Sequence, residues 1–364
     1  MISVASTKNN ASLKPERTKS IEAGLEMGFL QNRLGFDFAL YKSNTVDQIM
    51  PVSVSYATGR SAKYVNAGEI ENKGVELRLN GTPVKTSSGF QWDVAINWAR
   101  NRNKVVKLEG DIKNLEIASL QGGVTINARV GEPYGTIQGQ DYVYLNGKRV
   151  VGPLGYYDFS PTSDVVLGNI NPDWTGGINN ALSFRNIKLS FLIDVQKGGS
   201  IFSLDQYYGQ ETGLYPETVY INDLGNPVRD PLVDNGDGTY GANSGGYIAE
   251  GVLADGSINT KRIPGDDDYS FGYSAYPNSE FVYDASFIKL REVVLSYDLP
   301  KKLMAKTFIE SASLSFVGSN LWIIHKNLPY SDPEASQSAG NIQGWQSGVM
   351  PATRNFGFSL KLQF

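Results

Sequence analysis

The 364-residue chain has no cysteine and a single histidine, His325. Without thiols there is no disulfide framework and no thiolate metal site, and their absence suits a chain that crosses an oxidising compartment unfolded. Nor is there a surplus of positive charge. Lys and Arg number 33 against 37 Asp and Glu, a net charge of −4, which argues against a nucleic-acid partner. No stretch reaches the ~18 consecutive apolar residues a membrane helix needs. A membrane-crossing strand is not excluded by that, because it is apolar only at alternate residues. The opening Met1-Ile2-Ser3-Val4 has neither a basic segment nor an apolar core, so it does not read as an export signal.

What the chain does have is strict alternation. Ile21, Ala23, Leu25, Met27 and Phe29 alternate with Glu22, Gly24, Glu26 and Gly28, and a period of two sends these sets to opposite faces of a strand. Leu34, Phe36, Phe38 and Leu40 continue the pattern after Gln31-Asn32-Arg33. Val75, Leu77 and Leu79 repeat it, as do Phe90, Trp92, Val94, Ile96 and Trp98. Ile178, Leu182 and Phe184 share a face on which Asn180 is a misfit, and Ile187, Leu189, Phe191, Ile193 and Val195 follow. In Phe287–Leu299 the phase slips, and a bulge near Arg291-Glu292 would account for it.

About nine strands emerge, near 20–30, 33–45, 69–81, 89–104, 173–184, 186–197, 285–299, 310–323 and 353–364. Their connections alternate. Those at Gln31-Asn32, Gly81–Ser88, Arg185-Asn186 and after Pro300 are short, whereas 46–68, 105–172, 198–284 and 324–352 are long. Short turns at one end and long loops at the other are the mark of a membrane barrel. A soluble sandwich would connect briefly at both ends, and long loops inside it would count against the strand assignment. Phe29, Trp92, Trp98, Trp174, Phe184, Tyr297 and Trp322 lie toward strand ends, where barrels carry aromatic girdles. The expected fold class is all-β, a section of a large antiparallel transmembrane barrel. Phe36, Phe38, Val94, Ile96, Leu189 and Phe191 should face lipid, with Glu22, Glu26, Asp93 and Lys188 facing the lumen.

The chain ends with Phe356, Phe358, Leu360, Leu362 and Phe364 alternating to the last residue. An exposed apolar edge of this kind is an aggregation hazard in a soluble protein, and a barrel removes it by closure. Phe364 looks like the terminal assembly signal of bacterial outer-membrane proteins.

Several segments, in order along the chain, resemble SusC/RagA-like TonB-dependent outer-membrane transporters. They are Leu13-Lys14-Pro15-Glu16, then Asn66-Ala67-Gly68-Glu69-Ile70-Glu71-Asn72-Lys73-Gly74-Val75-Glu76-Leu77, and Asn169-Ile170-Asn171-Pro172-Asp173-Trp174-Thr175-Gly176-Gly177. Asp284-Ala285-Ser286-Phe287-Ile288-Lys289-Leu290-Arg291-Glu292-Val293 with Leu299-Pro300 follows, then Ser319-Asn320-Leu321 and Asp332-Pro333-Glu334. The resemblance implies a barrel of about twenty-two strands, of which residues 1–364 would supply the C-terminal nine or ten. It implies short periplasmic turns, long extracellular loops, and a signal, coupling segment and plug domain that this chain does not contain. It also implies import of glycans or peptides at the outer membrane with a SusD-like lipoprotein, energised by the TonB complex. Most of the motif residues read as architectural: Pro15 opens a strand, Gly68 and Gly74 flank a reversal, and Pro300 stops a strand.

No catalytic constellation stands out, and neither an enzyme nor a cofactor is expected. His325 follows Trp322-Ile323-Ile324 and reads as a rim residue. Asp266-Asp267-Asp268 reads as a solvated run. Asp234-Asn235-Gly236-Asp237-Gly238 has the look of a calcium loop but lacks the bidentate Glu of an EF-hand, and a plain turn is preferred. Tyr207, Tyr208, Tyr215, Tyr220 and Trp345 lie in long loops among amides and glycines. Aromatic faces beside amides suit oligosaccharide or peptide ligands, so Tyr207, Tyr208, Tyr215 and Trp345 are the candidate ligand or partner contacts. A passive porin, a secretion barrel and a secreted enzyme or adhesin are the competing classes.

Overall fold

The computed structural model describes residues 6–54, 56–66, 68–267, 269–335, 343–350 and 352–364. Ala67 and Asp268 of the segments above lie outside them. Nine strands form one antiparallel sheet in chain order: β1 (Arg17–Phe29), β2 (Leu34–Val46), β3 (Gly68–Lys85), β4 (Phe90–Leu108), β5 (Trp174–Phe184), β6 (Ile187–Lys197), β7 (Phe287–Asp298), β8 (Ser311–Lys326) and β9 (Asn355–Gln363). Each strand pairs with the next, and β1 and β9 each pair on one side only.

The register carries the alternation across the whole sheet. Directly opposed residues share a face. One row runs Leu25, Phe38, Leu77, Trp98, Gly176, Val195, Ile288. The row beside it runs Met27, Phe36, Leu79, Ile96, Ile178, Ile193, Leu290, Trp322. The opposite face carries Glu26, Asp37, Arg78, Asn97, Gly177, Asp194, Lys289. The expected lipid-facing and lumenal sets therefore fall on opposite faces. Much of the apolar face is open in this chain, with Leu25 52 % and Ile21 73 % exposed, as befits a surface whose solvent is hydrocarbon rather than water.

Asn180, the misfit of β5, sits on the apolar face opposite Val94 and Phe191. Its Oδ1 accepts a hydrogen bond from Trp92 Nε1 at 3.2 Å. One polar group on an apolar surface is thus satisfied by the indole N–H diagonal to it. The phase slip of β7 is a bulge: the pairing moves from Leu192–Glu292 to Ile193–Leu290, which leaves Arg291 as the extra residue.

Two turn readings need correction. The segment 81–88 is not wholly a turn. β3 continues to Lys85 through a register shift between Gly81 and Val84, so only 86–89 reverse the chain. Pro83 sits at that shift, where no ladder N–H is demanded of it. Gly74 does not flank a reversal either; it lies inside β3. The Tyr41 ring lies across it, where a Cβ would come within 2.4 Å of the ring, and the Tyr41 hydroxyl donates to Asn101 Oδ1 at 3.2 Å on the far side. Close approach, not a turn, is what the glycine permits.

The long connections carry their own structure. Residues 114–119, 125–129, 134–139 and 165–169 form a four-stranded sheet, and residues 7–8, 49–53 and 62–66 form a three-stranded one. A core of Val124, Ile126, Ile137, Phe202, Leu204, Phe281 and Trp345 draws residues from three separate loops. A second core joins Val151 to Val228, Tyr247, Ile263 and Phe271. The short-turn end is simple by comparison. Arg185, in the left-handed region at φ 54°, makes the tight β5–β6 hairpin, and Pro300 caps the short helix α2 (Lys301–Met304), against whose following segment the terminal Phe364 ring stacks through Phe308 at 5.4 Å. The longer helix α1 (Leu204–Glu211) belongs to the long-loop end.

Candidate functional site

The motif residues converge at the long-loop rim, where they tie loops to strand ends. Asn66 lies 52 residues beyond Lys14, yet its side chain accepts from the Lys14 N–H and donates to the Lys14 carbonyl, each at 2.8 Å. It also donates to the Asp47 carbonyl. Glu16 accepts from the Ile49 N–H at 2.7 Å. Asn171 bridges the Asn103 side chain and the Tyr134 carbonyl. Asp173 pairs with Arg102 at 2.6 Å. Asp284 accepts from the Ser286 N–H and pairs with Lys197, while Ser286 Oγ accepts from the Gly198 N–H. Burial raises the Asp284 carboxyl, but the hydrogen bonds of Ser286 and the charge of Lys197 outweigh it and hold it below the usual carboxylate range.

A second knot faces the interior. Lys289 donates to Asp332 and Glu334, and Arg291, thrust out by the bulge, reaches Asp194 and Glu334. Two motifs 43 residues apart in sequence thereby close on each other. Burial pushes the Glu334 carboxyl up; hydrogen bonds from Arg291 and Lys289 pull it further down, to a net value below the ordinary one.

Of the four candidate contact residues, two sit together on α1. Ser203 caps that helix, its hydroxyl accepting from Gln206 N–H at 3.2 Å. Tyr207 is half-buried against Phe202 and Phe281. It stacks on Tyr273 at 5.1 Å and meets Tyr208 edge-on at 5.1 Å. Tyr208 completes the triangle against Tyr273 at 5.4 Å, and its hydroxyl accepts from Gln121 Nε2. Tyr208 and Tyr273 remain 38 % and 41 % exposed. Burial pushes the Tyr207 hydroxyl up to about 12. Tyr273 went unnoticed in the sequence; Gly272, at φ 66° and packed against the Glu211 backbone, turns the chain beside α1 and brings that ring to it.

Tyr215 is elsewhere. It packs over Gly209 and stacks on Tyr330 at 4.7 Å, whose hydroxyl donates to Glu217. Trp345 is only 9 % exposed. Its ring fills the three-loop core and its Nε1 donates to the Gln121 carbonyl at 3.1 Å, so it anchors loops and has little surface to offer a ligand. Tyr220 is exposed, apart from both groups. Phe364 ends the wall at the opposite, short-turn side.

The remaining candidates resolve into local structure. Asp234 accepts from Gly236 N–H and Asp237 from Thr239 N–H and hydroxyl, which spends these carboxylates on turns. His325 is exposed at the outer end of β8, opposite Ile288. Asp267 closes a turn onto Tyr269 and Ser270.

Comparison with known proteins gives a consistent picture. Residues 2–184 match the family described as TonB dependent receptor-like, beta-barrel. Across 98 % of its length the chain is 27 % identical to TonB-dependent receptor P3 of Formosa agariphila, covering 35 % of that protein. It is 23 % identical to TonB-dependent receptor SusC of Bacteroides thetaiotaomicron, again over 98 % of this chain and 32 % of that one. Among solved structures, one described as the RagAB peptide transporter superposes on 96 % of this chain with a TM-score of 0.65, at 18 % identity and 35 % coverage of the other chain. The chain thus spans about a third of the length of the relatives it matches.

Proposed function

The chain belongs to the TonB dependent receptor-like β-barrel family, and on that premise we propose that it is a C-terminal stretch of the barrel wall, with its extracellular loops, of a bacterial outer-membrane importer of oligosaccharides or peptides. In this reading a SusD-like lipoprotein meets the long loops, and the TonB complex acts through parts of the protein outside this chain. The wall itself does no covalent chemistry.

The observation that carries the reading is the ring cluster of Tyr207, Tyr208 and Tyr273 at the long-loop end. Two of its rings keep open faces while the third is held from behind by Phe281. Pre-set aromatic faces bind flat sugar faces or peptide side chains with little ordering cost. The Gln121 amide donates to the Tyr208 hydroxyl at 3.2 Å, and amides supply the directional half of such recognition. Relatives point the same way: one structural neighbour is the RagAB peptide transporter, and SusC is among the related sequences.

The test is uptake by the full-length transporter of labelled oligosaccharides and of labelled oligopeptides, in Tyr208→Ala and Tyr273→Ala variants at unchanged surface level. Each should lower uptake of one ligand class by about threefold to tenfold at sub-saturating concentration. Unaltered uptake of both classes would reduce the rings to loop packing. Uptake that persists without the TonB complex would favour a passive porin instead.

A further inference from the structure

The outward face of the wall changes character abruptly toward the long-loop end. On β4 the apolar set Phe90, Trp92, Val94, Ile96, Trp98 is followed, on the same face, by Arg100, Arg102 and Lys104. The change is shared by the three strands before it. Above the row Leu25–Phe38–Leu77–Trp98 come Ala23–Leu40–Val75–Arg100, then Ile21–Lys42–Lys73–Arg102, then Lys19–Asn44–Glu71–Lys104. These three rows hold the cations Lys19, Lys42, Lys73, Arg100, Arg102 and Lys104 and one carboxylate, Glu71.

Height fixes what such a patch can meet. Phe90 to Trp98 spans about 26 Å of strand at ~3.3 Å per residue, which at a tilt of ~40° is roughly 20 Å of depth, close to the ~25 Å apolar band of barrel proteins. The basic rows therefore begin where hydrocarbon ends. Lys42 and Lys73 are 57 % and 64 % exposed there. Glu71 is shared between them at 2.7 and 3.7 Å, and Arg102 turns to Asp173. Among the described residues Arg100 and Lys104 form no ion pair on this face. The patch is also confined. At the matching height on β5 and β6 stand Trp174 and Lys197, the latter already paired with Asp284.

We propose that this outward patch of β1–β4 binds phosphorylated headgroups of the surrounding outer-leaflet lipid. The inference rests on the barrel-wall reading above. Guanidinium and ammonium groups set at headgroup height, over an apolar belt that holds acyl chains, match a lipid carrying phosphate at its upper end. Arg100 supplies the planar fork for bidentate phosphate contact, and Lys73 and Lys104 flank it as mobile point charges.

The experiment uses the full-length transporter in detergent. The probes are a bisphosphorylated acylated disaccharide glycolipid and the same glycolipid stripped of phosphate. The variant Lys73→Gln/Arg100→Gln/Lys104→Gln spares the Lys42–Glu71 and Arg102–Asp173 pairs. Wild type should prefer the phosphorylated lipid, and the variant's affinity for it should fall roughly a hundredfold, about fivefold per cation near an anionic surface. Arg78→Gln, on the lumenal face, should leave binding unchanged. If the triple variant assembles poorly, Arg100→Gln alone should lose about fivefold. Equal binding of both lipids by wild type, or undiminished binding by the variant, overturns the proposal. So does loss from the variant of a co-purifying acidic protein without loss of lipid, which would assign the patch to that protein. A fluorophore on Phe38→Cys separates the two readings: quenching by a lipid-borne quencher keeps the wall reading whatever the patch does, and no quenching sinks it.

Discussion

The ammonium of Lys289 lies 2.5 Å from the carboxylate of Asp332, and both side chains are more than nine-tenths buried. With Glu334, Arg291 and Asp194 they stitch the loop after β8 to the inner face of β6 and β7. Removing one partner of a buried pair leaves the other uncompensated, at a cost of about 3–5 kcal/mol. Lys289→Ala should therefore release residues 327–335, seen as faster amide hydrogen exchange there with the wall strands still protected. Lys289→Met combined with Asp332→Leu should restore most of the protection. Equal exchange in Lys289→Ala and wild type would mean the network is ornamental.

The same knot sets an acid limit. Glu334 has a carboxyl below its ordinary value in the folded state, so its contribution is present above the unfolded value of ~4.3 and is lost as pH falls through the lower, folded one. Loop protection should be flat from pH 5 to 8 and decline below about pH 4. Glu334→Gln should flatten that decline; an unchanged acid profile in this variant would place the titrating group elsewhere.

Trp92 and Asn180 give a test within the wall. Trp92→Phe leaves the Asn180 amide without its indole donor on an apolar face, at a cost of about 1–3 kcal/mol. Asn180→Leu in the Trp92→Phe background should recover that loss. Reversible unfolding from lipid vesicles is the measurement, and a stable single variant would show that the amide finds another partner.

Gly74→Ala should be costly out of proportion to one methyl group. The added Cβ meets the Tyr41 ring and the Arg100 carbonyl, at 2.4 and 2.7 Å. Overpacking of this kind typically costs 1–3 kcal/mol, about 2 kcal/mol at this site. Pairing it with Tyr41→Ala should remove the part of the penalty that the ring causes and leave the part due to the Arg100 carbonyl, and the unfolding midpoint of the double variant, between those of wild type and Gly74→Ala, decides the matter.

These three sites also show what was legible beforehand. The wall was, because a period of two survives in any strand with one apolar face; even the β7 bulge could be read from its phase slip, since one extra residue inverts every later side chain. The extension of β3 to Lys85 was not, because Pro83 and a register shift imitate a turn. The loop architecture left no period to read. Val124, Phe202, Phe281 and Trp345 are scattered apolar residues in polar segments, and only their meeting makes them a core. For that reason Trp345 looked like a free aromatic and proved an anchor, while Tyr273, which joins the ring cluster, had nothing in its surroundings to mark it. The pairing of Lys289 and Arg291 with Asp332 and Glu334 was likewise hidden, although both motifs were visible singly.

The shared core of the three long loops fixes an order of events. Trp345 donates to the Gln121 carbonyl across 224 residues, and Phe202 bridges to Trp345 across the interval between. Contacts of such separation form late, since each must close the intervening chain first. The surface bearing Tyr207, Tyr208 and Tyr273 is thus completed only after the strands up to β8 have been laid down. A chain stalled midway through assembly would have a wall but no finished loop surface. Pulse-labelling hydrogen exchange during assembly should find β1–β4 protected before residues 121–126 and 200–207, so that the joined surface of the long loops is the last part of the molecule to form.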